Sequence, residues 1–156
     1  MLKRVIVTLA VLVMLPSAAS ASSFKYYGPH MGFMQNPDLT MIGGQLQWNG
    51  VAPRMAFVPG VDYGFGQFNS VLTLNGDFHY QLTHETKWQP YVGGGVGINM
   101  WRDQVRPRND NTQTAGHLIL GAAVFNKSGG RFFTEMKLGL GDTGLRLLAG
   151  WNLRSR

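Results

Sequence analysis

Residues 90–101 read Pro-Tyr-Val-Gly-Gly-Gly-Val-Gly-Ile-Asn-Met-Trp and are the most informative segment for predicting the fold. Its glycines suit either a loop that cradles a phosphate group or a β-strand. A phosphate loop needs a further glycine that completes G-x-G-x-x-G, or a Lys followed by Ser or Thr, and then a helix. After Gly95-Val-Gly97 the chain continues with Ile98, Asn99 and Met100, which provide neither pattern. We therefore predict a strand.

With a period of two, this stretch has one apolar face and one small or polar face. The apolar positions are Val92, Val96, Ile98 and Met100, and the other positions are Tyr91, Gly93, Gly95, Gly97 and Asn99. We expect the glycines to point inward, where the missing side chains leave room for bulky neighbours such as Tyr91, Phe133 or Arg146.

The same alternation recurs in eight segments separated by turn residues, at about 25–34, 39–48, 54–65, 72–82, 90–101, 113–125, 131–140 and 144–154. Segments of about ten residues can cross a bilayer at a tilt. Open sheet edges would be costly in lipid, so the sheet should close. The pattern predicts an all-β protein, an eight-stranded antiparallel up-and-down transmembrane β-barrel.

The composition agrees with this architecture. Charged residues make up 14% of the chain, against about 25% in soluble domains. The mean hydropathy is −0.07, and no stretch after the N-terminal apolar run approaches 20 apolar residues. These observations exclude a helical membrane protein but permit a barrel. The net charge of +6 is scattered, so we predict no nucleic-acid partner. Without cysteine there is no disulfide and no thiolate metal site.

Residues 1–21 have the features of a cleaved signal peptide. Lys3 and Arg4 precede an apolar run at residues 5–15, and Ala19-Ser20-Ala21 provides small residues for cleavage. A membrane anchor would need about 20 apolar residues, which this run lacks. We predict an exported protein with a barrel domain over residues 22–156.

Alternation alone leaves open which face is outside. A soluble periplasmic lipocalin-like barrel that binds a small hydrophobic ligand would carry the same pattern inverted. A wet surface would be dense in Lys and Glu, whereas the polar positions here suit a narrow interior. We predict an interior polar network formed by Arg54, Asp62, Asn75, Asp77, His79, His117, Glu135, Lys137 and Arg146. Aromatic residues near strand ends predict a lipid-facing girdle of Trp48, Tyr63, Phe65, Tyr80 and Trp151.

Several short motifs resemble the small Gram-negative outer-membrane β-barrel proteins of the OmpA/OmpX type, a porin-like family. They are Asn36-Pro37-Asp38 before Gly43-Gly44-Gln45, Leu74-Asn75-Gly76-Asp77, residues 90–95, Arg131-Phe132-Phe133 and residues 138–142. The resemblance implies an outer-membrane location, a monomer, and periplasmic chaperones and the barrel-assembly machinery as partners. Such barrels usually end in an aromatic residue, whereas this chain ends in Arg156, so Trp151 or Leu153 would have to serve as the assembly signal.

Barrels of this size include lipid A-modifying enzymes, and acyl transfer of that kind would need a serine next to a histidine. None of Ser22, Ser23, Ser70, Ser128 and Ser155 lies in G-x-S-x-G or His-x-Ser. Ser70 and His79 would be roughly 30 Å apart along one strand. We predict no enzyme activity and no cofactor. His30, His79 and His117 share the inward parity and suit a metal site if their heights match, but hydrogen-bonded interior histidines are the preferred interpretation.

Residues 102–111 form the longest predicted loop, on the extracellular side. Arg102, Arg106 and Arg108 are candidate contacts for lipopolysaccharide phosphates, because a guanidinium group matches phosphate geometry. The alternative is a solvated loop in which Asp103 and Asp110 are the local partners of these arginines.

Overall fold

The computed structural model describes residues 23–82, 87–103, 111–126, 129–141 and 144–155. They form eight strands: β1 (Ser23–Met34), β2 (Leu39–Ala52), β3 (Met55–Phe65), β4 (Asn69–Gln81), β5 (Trp88–Asp103), β6 (Asn111–Phe125), β7 (Arg131–Gly139) and β8 (Leu145–Arg154). Each strand pairs antiparallel with its sequence neighbours, and β1 also pairs with β8, so the sheet closes. The predicted fold class is confirmed. The described residues contain no helix long and apolar enough to cross a membrane.

The predicted signal peptide, residues 1–21, lies outside the described residues. Ser23 and Ser155 lie at one end of the barrel, where the amide of Ser155 donates to the carbonyl of Lys25 at 2.8 Å. We call this end the terminal end, and the opposite end, where β5 leads to β6, the loop end.

The second segment, predicted to end at about residue 48 with Asn49-Gly50 as the following turn, is longer than expected. Asn49-Gly50 does not end β2, which continues to Ala52. Instead the pairing of β2 with β3 shifts between Asn49 and Ala52, and Gly50 has a φ of 83°. A glycine with positive φ accommodates such an irregularity inside a strand.

The chain turns at Pro53 and Arg54, and this corrects the prediction that Arg54 belongs to the interior network. Arg54 is exposed and has a φ of 62°, and β3 starts only at Met55. The alternation that placed its side chain inside therefore begins one residue after it.

Burial alternates along each strand. In β4, for example, Val71, Thr73 and Asn75 are buried whereas Leu72 and Leu74 are exposed. The interior is polar at its centre and contains two apolar clusters. One, nearer the loop end, comprises Met34, Leu39, Met41, Val71 and Leu148, with Trp101 packed against it. The other comprises Tyr91, Ile119, Ala123 and Phe133.

Large inward side chains face glycines on the neighbouring strand. Tyr91 pairs with Gly121 and Phe133 pairs with Gly150, and a Cβ at either glycine would overlap the aromatic ring. The glycines of β5 have different neighbours from those expected. A Cβ at Gly95 would overlap the carboxylate of Asp77, so Gly95 makes room for a charged side chain and not for Tyr91 or Phe133.

Candidate functional site

The centre of the barrel holds a buried ionic cluster around Asp77. Nζ of Lys137 lies 2.5 Å from Oδ2 of Asp77, and Nε2 of His117 lies 2.7 Å from Oδ1. All three side chains are buried. A buried charge is tolerated when it is paired and hydrogen-bonded, so Lys137 and His117 stabilise the carboxylate of Asp77 inside the barrel.

Glu135 extends this cluster toward the second apolar cluster. The hydroxyl of Tyr91 donates a hydrogen bond to Oε2 of Glu135 at 2.8 Å, and Nζ of Lys137 lies 3.4 Å from Oε1. The ring of His79 stacks on the ring of Tyr91 with centroids 4.7 Å apart, and its Nε2 lies 3.7 Å from Oε2 of Glu135. Lys137 therefore contacts two carboxylates.

A second group of polar contacts surrounds Asp62 and Asn99. Asp62 pairs with Nε2 of His30 and accepts a hydrogen bond from the amide of Asn75. Oδ1 of Asn99 accepts hydrogen bonds from the hydroxyl of Thr73 and from Nη2 of Arg146, each at 2.9 Å. Two of these contacts, His30–Asp62 and Arg146–Asn99, connect strands that are not neighbours and so cross the interior, whereas the other two join adjacent strands.

The residues predicted for the interior network are therefore placed as follows. Arg54 lies outside in a turn, and the remaining ones are buried: Asp62, Asn75, Asp77, His79, His117, Glu135, Lys137 and Arg146. The predicted network did not include Thr73, Tyr91, Asn99 and Arg131, and His30 was expected separately as a hydrogen-bonded interior histidine. Their inward parity was available in the sequence, but their hydrogen-bonding partners were not.

Arg131 shows how an arginine is accommodated at the terminal end of the interior. Its guanidinium carbon lies 4.5 Å from the centroid of the Tyr26 ring, and its side chain is buried. A guanidinium group over an aromatic face gains a cation–π attraction, which is stronger where water is excluded.

The three inward histidines do not form one metal site. His30 contacts Asp62, His117 contacts Asp77, and His79 lies nearest Glu135. A different set, Asp77, His79 and Glu135, brings three possible ligand atoms within 4.8 Å of one another. The ammonium of Lys137 already contacts both carboxylates of that set, and a divalent cation would have to displace it.

The interior is tightly filled at its centre. The cavity bounded by His117, Lys137 and Arg146 has a volume of about 10 Å³, which is roughly the space for one water molecule. Next to the polar centre, the cluster around Met34 and Met41 lies inside the wall toward the loop end. The described side chains therefore form a plug.

The outer wall is apolar and has aromatic residues near both ends. At the terminal end, Trp48 lies 5.2 Å from Phe24 and 6.5 Å from Phe57 between ring centroids. Toward the loop end, the rings of Tyr63 and Phe65 are 6.2 Å apart. Of the predicted girdle, Tyr63, Phe65, Tyr80 and Trp151 are exposed and Trp48 is half-buried. Phe57 and Phe132 were missed, although they have the outward parity of their strands. Phe24 was also missed; it pairs with Trp48 on the outer face because the register of β1 shifts between Phe24 and Tyr26.

Arg102 lies at the loop end of β5, exposed, directly across from Ser70 of β4. It borders an outer groove of about 380 Å³ lined by Tyr63, Ser70, Leu72, Met100, Trp101, Arg102, Asn111 and Thr112. Arg106 and Arg108 lie outside the described residues.

Several solved structures that superpose on this chain are transmembrane barrels. Neisserial surface protein A superposes with a TM-score of 0.64 at 10% identity, covering 87% of this chain and 100% of that protein. A de novo designed transmembrane β-barrel gives a TM-score of 0.59 at 14% identity, covering 84% of this chain and 95% of the design. The designed barrel TMB2.3 gives a TM-score of 0.58 at 12% identity, covering 86% of this chain and 95% of the design.

The chain has the fold of a transmembrane β-barrel. The resemblance to small outer-membrane barrels is thereby confirmed at the level of the fold. No protein-family model matches the chain, and no curated protein matches it in sequence. At identities of 10–14%, the shared property is the architecture alone.

Proposed function

We propose that this chain is a monomeric, non-catalytic outer-membrane β-barrel with a structural or surface-interaction role in the Gram-negative envelope. It would be exported by a signal peptide cleaved after residue 21 and assembled by periplasmic chaperones and the barrel-assembly machinery. The observation that carries the proposal is the distribution of side chains across the wall: apolar residues point outward, and paired polar residues fill the interior.

The outward residues support a lipid environment. Met31 is 65% exposed, Val96 is 56% exposed and Leu120 is 54% exposed. In water such a surface would be a costly continuous apolar patch, whereas in lipid it is the expected exterior of a barrel. A lipocalin-like carrier would instead line its interior with these residues and would leave a ligand cavity.

The interior supports a plugged barrel without catalysis. The histidine–aspartate pairs, His30–Asp62 and His117–Asp77, have Asn75 and Lys137 as their further partners. Acyl transfer of the Ser-His-Asp type needs a hydroxyl next to the histidine. Ser70 is on the outward parity of β4, opposite Phe65 and Arg102, whereas His79 is inward, opposite Ala56 and Gly93.

Lipopolysaccharide is the proposed partner at the loop end, through Arg102, Arg106 and Arg108. Arg102 supports this role because it is exposed and lies beyond the apolar outer wall, where a guanidinium group would meet lipid phosphates. Replacing all three arginines by glutamine should reduce the amount of lipopolysaccharide that co-purifies. The remaining co-purification should also depend less on salt concentration. Unchanged co-purification would refute this contact.

Cell fractionation tests the location and the fold together. The protein should sediment with the outer membrane, require detergent for extraction, and change gel mobility when boiled. Sequencing its N-terminus should give a chain that begins near Ser22. A detergent-free soluble monomer would support the lipocalin-like alternative, and an intact Met1 would contradict the cleaved signal peptide.

A further inference from the structure

The groove at the loop end has two rows of outward residues at different heights. Tyr63, Leu72 and Met100 follow one another across β3, β4 and β5, because Tyr63 pairs with Leu72 and Leu72 pairs with Met100. Two residues nearer the loop end, Ser70 pairs with Arg102 in the same way. The groove is therefore apolar on the side of the lipid-facing wall and cationic at its rim.

The rim of the groove carries the small polar side chain of Ser70, whereas the wall beside it carries larger side chains such as Leu72 and Met100. Ser70 is only 4% exposed, although it has the same parity as the outward Leu72 on β4 and pairs with Phe65 and Arg102. On the far side of the groove, Thr112 pairs with Met100 and Asn111 pairs with Trp101, which adds two exposed polar side chains. Hydrogen-bonding groups thus lie on both sides of Arg102.

Among the side chains that the structure describes, no carboxylate forms an ion pair with Arg102. The ion pairs that these side chains form all lie in the barrel interior. An exposed arginine next to an apolar wall satisfies its charge best with an anion that itself sits at the lipid surface.

We propose that this groove binds one phosphorylated lipid of the outer leaflet. Its phosphate would contact Arg102, with Asn111 and Thr112 as further hydrogen-bonding groups, and one acyl chain would lie along Tyr63, Leu72 and Met100. The change from cationic rim to apolar wall within one groove favours an amphiphile over a free anion. This inference rests on the proposed outer-membrane location and deepens the role of Arg102.

Native mass spectrometry of the detergent-purified, full-length mature barrel tests the proposal. The added probes are bisphosphorylated lipid A, its dephosphorylated form and inorganic phosphate. The wild-type barrel should retain one bisphosphorylated lipid A and release the dephosphorylated form. Arg102→Gln should weaken retention about tenfold, because one charge-assisted contact is lost.

Two further variants separate the charge from the groove. Thr112→Trp fills the groove and keeps Arg102, so it should also weaken retention. Arg154→Gln removes an exposed arginine at the terminal end and should leave retention unchanged. All three variants should keep the wild-type change in gel mobility on boiling.

Three results would overturn the proposal: equal retention by Arg102→Gln and the wild type, equal retention of the dephosphorylated lipid, or displacement of the lipid by inorganic phosphate at equal concentration. Loss of retention only in an Arg106→Gln/Arg108→Gln variant would place the contact in the loop and not in this groove. Failure of the wild type to fractionate with the outer membrane would refute the proposed function itself, and this result is distinct from the others.

Discussion

Lys137 on β7 and Asp77 on β4 are 60 residues apart in sequence, yet their Nζ and Oδ2 atoms lie 2.5 Å apart at the centre of the barrel. The same ammonium lies 3.4 Å from Oε1 of Glu135. One cation thus holds two buried carboxylates that belong to different strands. We expect this contact to stabilise the barrel, because removing one member of a buried ion pair leaves its partner's charge poorly compensated.

Replacing Lys137 by methionine should strongly destabilise the barrel. The substitution keeps the length of the side chain but leaves Asp77 and Glu135 without their shared cation, which should lower the free energy of unfolding by about 3–5 kcal/mol. Urea unfolding in lipid vesicles, followed by tryptophan fluorescence, measures this quantity. Lys87→Met, at an exposed position, is the control and should change it by less than about 0.5 kcal/mol. Equal effects of the two substitutions would contradict the central role of Lys137.

Replacing Tyr91 by phenylalanine should destabilise the barrel to a smaller extent. It removes the hydroxyl that donates to Glu135 at 2.8 Å, a contact to a charged acceptor that is worth about 1.5–3 kcal/mol. Tyr80→Phe is the matched control, because the side chain of Tyr80 is exposed on the outer wall. The same unfolding measurement applies. The hydrogen bond would have no net value if Tyr91→Phe unfolded at the same urea concentration as Tyr80→Phe.

Alanine at Gly95 should hinder folding, whereas alanine at Gly76 should not. A Cβ at Gly95 would overlap the carboxylate of Asp77, and it would lie 2.7 Å from the carbonyl oxygen of Gly76. A Cβ at Gly76 would meet only the edge of Phe57, at an ordinary contact distance of 3.8 Å.

Overpacking of this kind costs about 1–3 kcal/mol, so Gly95→Ala should give a smaller folded fraction in the gel-mobility assay than Gly76→Ala. No defect specific to a ligand is expected. Identical folded fractions would show that the wall near Asp77 relaxes freely.

Lipid-attached quenchers should distinguish the tryptophans of the wall from those of the interior. Trp151 is 40% exposed on the outer wall, whereas Trp101 packs against the inward cluster around Met34. In single-tryptophan variants reconstituted into vesicles, brominated lipids should quench Trp151 more strongly than Trp101. Quenchers near the headgroups should act on Trp151 better than deep ones. If no brominated lipid quenched the fluorescence of Trp151, the result would contradict a lipid-facing wall.

Much of the wall could be predicted because strand alternation is a local property. The outward parity of Leu72 and Tyr80 and the inward parity of Asp77 and His79 follow from a two-residue repeat that each strand carries by itself. Turn signals were less reliable. Asn49-Gly50 has the composition of a hairpin turn, but continued pairing of β2 with β3 makes it an irregularity within the strand, and this moved Arg54 out of the interior.

The candidate site was only partly predictable for a related reason. The sequence places Tyr91 and Asn99 on the inward face but does not show that Tyr91 meets Glu135 or that Asn99 meets Arg146. Such contacts depend on the stagger between strands and on which walls face each other across the closed barrel. The two rows of the groove at Arg102 likewise depend on the register of β3 to β6.

Eight strands, the face occupied by most strand residues and the apolar character of the outer wall follow from the sequence alone, because they depend on short repeats within single segments. The three-dimensional fold is needed to see that Lys137 joins Asp77 to Glu135, that Gly121 and Gly150 accommodate Tyr91 and Phe133, and that Ser70 lies beside Arg102. Closure of the sheet sets those distances, because it brings strands face to face across the interior. The alternating pattern of each strand carries no information about which other strand it will face.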